Sequence, residues 1–291
     1  MPDIDLAAFS KEQLDRVVAA ETLRSMRQCT RSADPHAVLL AGQPGAGKTV
    51  ISSMMMSSVL NNDGTLINAD EFRRLHPNYH RLNELYGADA VELTARFSSA
   101  VTEGLIAALS GQRINLVIEG TGRTVEVPKR TATLLVEKGY TVELAVIAAR
   151  PVISLISTVL RFYQMNERGT IPRSTAPEAH DRTVDALPAN LDILLTMPEL
   201  SRIRIWDREL HLLYDSAIGI DELPSEALRQ YWHRAWGREE ILYAREQIEL
   251  LRMKEAENQL GQSDLIDLIE ERVEKAVGIQ QRPSGPELRM W

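Results

Sequence analysis

One segment of eight residues constrains this chain more than any other part of the sequence. It has the form GxxxxGKT and consists of Gly42, Gln43, Pro44, Gly45, Ala46, Gly47, Lys48 and Thr49. The apolar run 37–41 precedes it and a helical stretch follows it, which is the context that a phosphate-binding loop requires. In such a loop, backbone N–H groups turn toward phosphate oxygens, and the next helix points its positive end at the same anion. We therefore predict that residues 42–49 bind the phosphates of a nucleotide, as an ATP-binding loop does.

The last two residues of this loop have side chains suited to phosphates and to a metal ion. The Lys48 ammonium is expected to reach the outer phosphates, and the Thr49 hydroxyl is expected to coordinate Mg²⁺. A chance match to so degenerate a pattern is disfavoured by the strand before it and the helix after it. The loop by itself leaves kinase, motor and GTPase chemistry open.

The chain as a whole predicts an α/β fold, with a P-loop kinase-like parallel sheet flanked by helices. Short apolar runs alternate with longer helical stretches, which is typical of parallel sheets with crossover helices. The predicted strands are 37–41, 65–68, 115–118, 142–148, 202–206 and 211–214.

The domain organisation is predicted in two parts. We expect a kinase domain over residues 1–220, with an amphipathic helix within residues 5–30 packed beside it. A charged, helical C-terminal extension is expected over residues 221–291. Such a charged stretch is typical of a solvated face, so we assign it no chemistry.

The residues after the second and third predicted strands favour a kinase. The chain has no Asn-Lys-x-Asp motif for guanine, and its third strand ends with one acid, Glu119, where motor ATPases usually carry an acidic pair. A kinase needs a carboxylate that orients or deprotonates the acceptor hydroxyl. Asp70, at the end of the second strand, is the candidate for this carboxylate. The alternative is that Asp70 only caps the helix that follows it.

Two arginines further along the chain are candidates for a cationic lid. Phosphoryl transfer spreads negative charge over the oxygens in flight, and positive side chains stabilise that charge. Arg161 lies on a helix predicted over residues 152–167, and Arg173 lies in the turn after it, which contains Gly169 and Pro172. A turn of this composition is a credible mobile segment. The alternative for both arginines is a solvated surface position.

Composition limits which binding partners and which cellular compartment are expected. The formal net charge of −8 disfavours the nucleic-acid backbone as a partner. Cys29 is the only cysteine, so no internal disulfide can form, which fits a reducing cytoplasm. No stretch approaches the roughly 20 apolar residues of a membrane helix, and the start of the chain lacks a basic and then apolar leader. We expect a cytoplasmic protein with no membrane partner.

A series of motifs in fixed order resembles the zeta toxin family. The series covers roughly three quarters of the chain, a specificity that a single motif would lack. It consists of GQPGAGKT at 42–49, NADEF at 68–72, HP at 76–77, VIEGTGR at 117–123, RFYQM at 161–165, RSTAPEAHD at 173–181 and LPANL at 187–191.

The resemblance implies a bacterial toxin of the epsilon/zeta toxin–antitoxin type. Such a toxin is an ATP-dependent kinase that phosphorylates UDP-N-acetylglucosamine at the 3'-hydroxyl of its amino sugar, which blocks cell-wall synthesis. The implied partner is a small helical antitoxin that covers the ATP site. By position, Lys48 and Thr49 would hold ATP and Mg²⁺, Asp70 would act as the base, and Arg161 and Arg173 would stabilise the transferring phosphate. The residues implied for the sugar-nucleotide pocket are Glu103, Glu119, Thr121 and Arg123.

Other interpretations of these residues stay open. Glu119 could bond to the loop or lie near Mg²⁺, Thr121 could cap a helix, and Arg123 could fix its turn. His76 and His180 are predicted to be packed, hydrogen-bonded residues rather than catalysts. The competing functions are a kinase of the same fold that acts on NAD, a nucleoside or another activated sugar, and a nucleotide-binding interaction module.

Overall fold

The computed structural model describes residues 4–173, 175–218 and 222–281 of the chain. Its sheet contains β1 (His36–Ala41), β2 (Thr65–Asn68), β3 (Leu116–Glu119), β4 (Thr141–Ile147), β5 (Arg202–Trp206) and β6 (Leu212–Asp215). The α-helices are α1 (Ile4–Ala7), α2 (Lys11–Gln28), α3 (Lys48–Ser58), α4 (Ala69–Phe72), α5 (Tyr79–Tyr86), α6 (Ala90–Leu93), α7 (Ala95–Gly111), α8 (Glu126–Glu137), α9 (Pro151–Glu167), α10 (Pro177–Leu195), α11 (Pro224–His233), α12 (Arg238–Asn258) and α13 (Ser263–Gln281). Short 3₁₀ helices occupy Arg73–Leu75 and Gly87–Asp89.

The sheet has the strand order β2-β3-β1-β4-β5-β6, and the first five of these strands are parallel. The predicted α/β fold is therefore confirmed, with strand bounds that differ from the predicted ones by one residue at most. The sheet is parallel except at one edge, where β6 runs antiparallel to β5. Only residues 207–211 join these two strands, too few for the crossover that a parallel pair needs.

Helices cover both faces of the sheet, so its central strand is apolar on both sides. Along β1, Ala37, Leu39 and Ala41 face a core shared with α7, α8 and α10. Val38 and Leu40 face a second core under α3. This alternation follows from the period of two in a strand, and it explains the uninterrupted apolar run before the phosphate loop.

The predicted N-terminal helix is divided at residues 8–10. Ser10 begins α2 with a capping box, in which its hydroxyl accepts from the Gln13 N–H at 3.2 Å and the Gln13 side chain accepts from the Ser10 N–H at 2.8 Å. Helix α2 packs on α7, where Gly104 lies so close to Val18 that a methyl group on Gly104 would come within 2.8 Å of it.

The helical C-terminal extension is present and packs in two places. Helix α11 adds Leu228 and Trp232 to the core shared with β5 and β6. Helices α12 and α13 form a separate apolar cluster with α9, to which Leu251 and Ile269 contribute fully buried side chains. The predicted boundary at 220–221 and the last residues of the extension lie outside the described residues, so the two-part division stays a prediction. In the described ranges, no helix has the length and apolar character that crossing a bilayer demands.

Candidate active site

The loop 42–49 joins the end of β1 to the start of α3, as the motif predicts. Gly45 has φ +76°, and a methyl group on it would lie 2.0 Å from the Ser154 carbonyl oxygen of α9. Both facts require glycine at this position. The loop therefore packs directly against the first turn of α9.

The side chain of Gln43 stabilises this contact between the loop and α9. Gln43 is fully buried, and its amide donates to the Ala149 carbonyl at 2.7 Å and to the Ser154 hydroxyl at 3.2 Å. Ser154 is in turn 2.8 Å from Nε2 of buried His180, whose Nδ1 is 3.1 Å from Asp181. His180 is thus a packed, hydrogen-bonded residue, as predicted, and Gln43 bonds to protein through its side chain.

Lys48 lies inside the loop rather than on its surface. Its ammonium donates to the carbonyls of Gly42 at 2.9 Å and Gln43 at 3.3 Å, and it lies 4.0 Å from a carboxylate oxygen of Glu119. Burial lowers the pKa of Lys48, and the charge of Arg161 lowers it further, while Glu119 and Asp70 act in the opposite direction. Lys48, Glu119, Asp70 and Arg161 are therefore close enough to form one electrostatic group.

Glu119 ends β3 beside the loop. Asn68, its partner in the neighbouring strand β2, donates an amide hydrogen bond to the second Glu119 oxygen at 2.8 Å. Burial raises the pKa of the Glu119 carboxyl, the charge of Lys48 opposes this effect, and the charge of Asp70 adds to it. Asn68 was not singled out from the sequence, although its place at the end of β2 is a signal that could have found it.

Asp70 lies in the first turn of α4, with about half of its side chain exposed. The residue that caps α4 is Asn68, whose side chain accepts from the Asp70 N–H at 2.9 Å, so the alternative that Asp70 is the cap is wrong. The Asp70 carboxylate instead accepts from Arg73 Nε at 3.0 Å and lies 3.8 Å from Arg173. Burial opposes ionisation of Asp70, but Arg73, Arg173 and Arg161 together outweigh it, so its pKa lies below the usual value.

The two predicted lid arginines come to the same edge of the sheet from different elements. Arg161 lies on α9, and its charge acts on Lys48, Asp70 and Glu119. Arg173 lies between α9 and α10 and donates to the Asp70 backbone carbonyl at 3.0 Å. The structure thus brings Lys48, Asp70, Glu119, Arg161 and Arg173 together.

The remaining candidates, Thr121, Arg123 and Glu103, lie outside this group. The Thr121 carbonyl accepts from the Gly42 N–H at 3.2 Å, and the Thr121 hydroxyl accepts from the Arg123 N–H at 3.3 Å, which fixes the turn after β3. Helix α8 begins only at Glu126, so Thr121 is not a helix cap. Glu103 is largely exposed, and its ion pair is with Arg130 of α8.

Two features of this edge suit a nucleotide and its metal ion. The loop and the first turn of α3 supply backbone N–H groups for phosphates. The exposed Thr49 hydroxyl is an oxygen donor of the kind that Mg²⁺ prefers, and the Glu119 carboxylate lies beside the same loop. The residues present therefore fit a magnesium nucleotide.

Comparisons with known proteins identify the family of this chain. The family described as Zeta toxin matches residues 20–218, which include every candidate residue above. The chain belongs to the zeta toxin family. Toxin PezT of Streptococcus pneumoniae is 42% identical over 201 residues, which cover 68% of this chain and 78% of that protein. Toxin zeta of Enterococcus hirae is 36% identical over 241 residues, which cover 82% and 83% of the two chains.

Solved structures support the same membership. One comes from the characterisation of the PezAT chromosomal toxin–antitoxin system of Streptococcus pneumoniae, with TM-score 0.74, 31% identity, and coverage of 87% of this chain and 98% of that one. The AvrRxo1-ORF1:-ORF2 structure with ATP has TM-score 0.51 and 18% identity over 78% of this chain and 71% of that one, so it shares the fold alone. This zeta toxin family member therefore has a kinase-like fold, and its family supports a phosphotransferase.

Proposed function

We propose that this protein is an ATP-dependent kinase that phosphorylates the 3'-hydroxyl of the amino sugar of UDP-N-acetylglucosamine. The observation that carries the proposal is the group at the ends of β1, β2 and β3, where Lys48, Asp70 and Glu119 meet. A loop for phosphates beside a carboxylate for a hydroxyl is the arrangement that phosphoryl transfer to an alcohol needs. The acceptor itself is inferred from membership of the zeta toxin family.

In this proposal Asp70 handles the proton of the acceptor hydroxyl. Its lowered pKa keeps it ionised at neutral pH, so it can orient the hydroxyl by accepting its hydrogen bond. The acceptor oxygen bonds to the γ-phosphorus, the bond from that phosphorus to the bridging oxygen of ADP breaks, and the proton passes to Asp70. In a loose transition state the hydroxyl loses its proton late, so a weakly basic carboxylate suffices.

The cationic residues then act on the transferring group. Lys48 has a desolvated ammonium, which interacts strongly with outer phosphates because little water screens it. Arg161 and Arg173 would stabilise charge on the equatorial oxygens. Mg²⁺ would be held through the Thr49 hydroxyl, and it would supply positive charge that neutralises phosphate charge when bound.

The acceptor pocket would lie beyond β3, on the side of Asp70. Thr121 and Arg123, in the turn after β3, and Glu119 are the residues we propose for the sugar nucleotide. Glu103 is proposed as a fourth contact, which requires it to exchange its present ion pair with Arg130 for one with the substrate. An exposed ion pair contributes at most about 1 kcal/mol, so breaking the pair of Glu103 and Arg130 costs little free energy.

We also propose that the kinase acts as the toxin of a toxin–antitoxin pair and blocks cell-wall synthesis. A small helical antitoxin would neutralise it by covering the ATP site. Support comes from the family and from the likeness to a chain of the PezAT toxin–antitoxin system. Expression without an antitoxin is then expected to stop bacterial growth, and Lys48→Ala is expected to relieve the arrest.

The test is a small-molecule assay. Purified protein is incubated with ATP, Mg²⁺ and UDP-N-acetylglucosamine, and the products are weighed by mass spectrometry for wild type, Asp70→Asn and Glu71→Gln. Glu71 is the exposed neighbouring acid and serves as the matched control. A product heavier by one phosphoryl group with wild type and Glu71→Gln, and absent with Asp70→Asn, is expected. If wild type instead modifies only NAD, a nucleoside or another sugar, the acceptor is wrong; equal turnover by Asp70→Asn would remove the proposed base.

A further inference from the structure

The turn between β5 and β6 is held rigidly at the same end of the sheet as the phosphate loop. The His211 N–H donates to Asp207 Oδ1 at 2.8 Å, its ring Nδ1 lies 3.0 Å from Asp207 Oδ2, and the Asp207 N–H donates to the His211 carbonyl at 3.0 Å. Before the turn, Trp206 packs under the loop in the core that contains Ala46. The residue that this turn presents, Arg208, therefore has a fixed backbone position.

Arg208 extends toward the phosphate loop. Gly47, with φ +105°, is the residue just before α3, and a methyl group built on it would have Arg208 Nε as its neighbour at 3.8 Å. Arg208 is partly buried, and in the part of the chain that the structure describes it has no hydrogen bond or ion pair. A guanidinium without a protein partner in the described residues can donate hydrogen bonds to an anionic ligand. The arrangement is therefore suited to an anionic group over the start of α3.

The strand order indicates which part of a bound nucleotide would lie beside Arg208. Asp70 and Glu119 follow β2 and β3, which lie on one side of β1, whereas Arg208 follows β5, which lies on the other side beyond β4. A nucleotide whose γ-phosphate faces Asp70 must extend across the loop toward β4 and β5. Its phosphates on the nucleoside side thereby approach the end of β5.

We propose that Arg208 is a nucleotide-binding residue whose guanidinium contacts the α- or β-phosphate of ATP. The inference rests on the proposed function, because it concerns the same ATP. It separates two arginines of the site by role. Arg208 contacts phosphates that ADP and ATP share, and so it contributes to binding in the ground state, whereas Arg161 acts beside Lys48 and Asp70 on the group that is transferred.

The experiment measures ATP and ADP affinities by isothermal titration for the full-length wild type, Arg208→Gln, Arg208→Lys and Glu209→Gln. Glu209 is the exposed neighbour in the same turn and controls for local charge and folding. Loss of one charge-assisted hydrogen bond is expected to weaken ATP and ADP by the same factor, about ten- to hundredfold. Arg208→Lys is expected to recover part of that loss, and Glu209→Gln to show none. The KM for ATP should rise by more than kcat falls.

Several results would overturn this assignment. Affinities of Arg208→Gln equal to those of Glu209→Gln would remove Arg208 from the site. A loss for ATP without a loss for ADP would move the contact to the γ-phosphate, and no recovery with Arg208→Lys would indicate stacking on the base instead. If wild type phosphorylates its acceptor and Arg208→Gln binds ATP and ADP as tightly as wild type does, this inference alone fails. If wild type binds no ATP, the proposed function fails with it.

Discussion

The end of the sheet and helix α9 supply opposite sides of one site, yet they are held in place differently. Lys48 follows β1 through the loop, Asp70 lies just after β2 in α4, and Glu119 ends β3, so their positions depend on the pairing of neighbouring strands and on the loop. Helix α9, which carries Arg161, depends on α12 and α13, whose residues are about a hundred positions away along the chain. The first region is held by backbone pairing between strands, and the second is held by apolar side chains packed between helices.

Polar contacts reinforce the apolar cluster behind α9. The Tyr163 hydroxyl donates to Glu255 at 2.7 Å, and burial together with this bond raises the pKa of Tyr163. Arg150, just before α9, is almost fully buried and donates to the Trp232 carbonyl at 3.0 Å. The extension therefore supports the helix that carries a proposed catalytic cation, and the comparison teaches that the chemistry of this site depends on packing far from the end of the sheet.

The largest expected effect tests the end of the sheet. Lys48→Ala is expected to lower turnover by about a thousandfold or more, because a preorganised cation on the phosphates is lost. The unfolding free energy should change little, because burial of the Lys48 ammonium costs free energy in the folded state and the substitution removes that cost. A turnover assay checks the first expectation, and urea unfolding checks the second. The control is Lys129→Ala, at an exposed position. Turnover that is retained by Lys48→Ala would contradict a role in transfer.

The next effect tests the support of α9. Leu251 is fully buried between α12 and its partners, whereas the adjacent Leu250 is 37% exposed. Leu251→Ala is expected to lower the unfolding free energy by about 2–5 kcal/mol, because it leaves a cavity, and Leu250→Ala by much less. Chemical denaturation measures the difference. Equal values for the two variants would show that this cluster does not hold the extension to α9.

The contact between the two regions is tested by Gly45→Ala. Left-handed backbone strain alone costs about 1–2 kcal/mol, and the new methyl group would also clash with the Ser154 carbonyl of α9. Gly261 has a similar φ, +73°, in open space, so Gly261→Ala reports the strain without the clash. Nucleotide affinity and melting temperature should fall further for Gly45→Ala. If both variants behave alike, the close approach of loop and α9 does not matter for binding.

The smallest effect concerns the ion pair between α10 and α13. Arg272 donates to both oxygens of Asp181, at 2.9 and 2.7 Å, and these hydrogen bonds hold the pKa of Asp181 below its usual value. A lowered folded-state pKa stabilises the protein at pH values above the unfolded pKa, and this contribution disappears as the pH falls through the lowered value. Asp181→Asn is thus expected to cost about 1 kcal/mol at pH 7 and nothing in strong acid.

Thermal unfolding at a series of pH values measures this difference. Asp185→Asn, on the exposed side of the same helix, is the matched control and should follow wild type throughout. A deficit of Asp181→Asn that stays constant down to the lowest pH would mean that its cause is not the ionised pair with Arg272.

Most of the fold was predictable because its signals are local. Each apolar run is one strand, and the runs that end in Leu40-Ala41 and Ile67-Asn68 end where polar, functional residues begin. The antiparallel direction of β6 was missed, although the short connection of residues 207–211 is a local signal for it, because a parallel pair needs a longer crossover. The division of the N-terminal helix was missed, although the capping box of Ser10 and Gln13 is a local signal for it.

The sequence by itself determined the phosphate loop, the order of the strands along the chain and the family, because these depend on residues adjacent in the chain. Tertiary structure decided which distant residues meet. It joined Gln43 to Ser154, Asp181 to Arg272 and Gly47 to Arg208. It also brought Arg173 to within 3.8 Å of the Asp70 carboxylate. The reason is physical: such contacts arise when the sheet and helices pack, and no local pattern encodes which pairs that packing brings together.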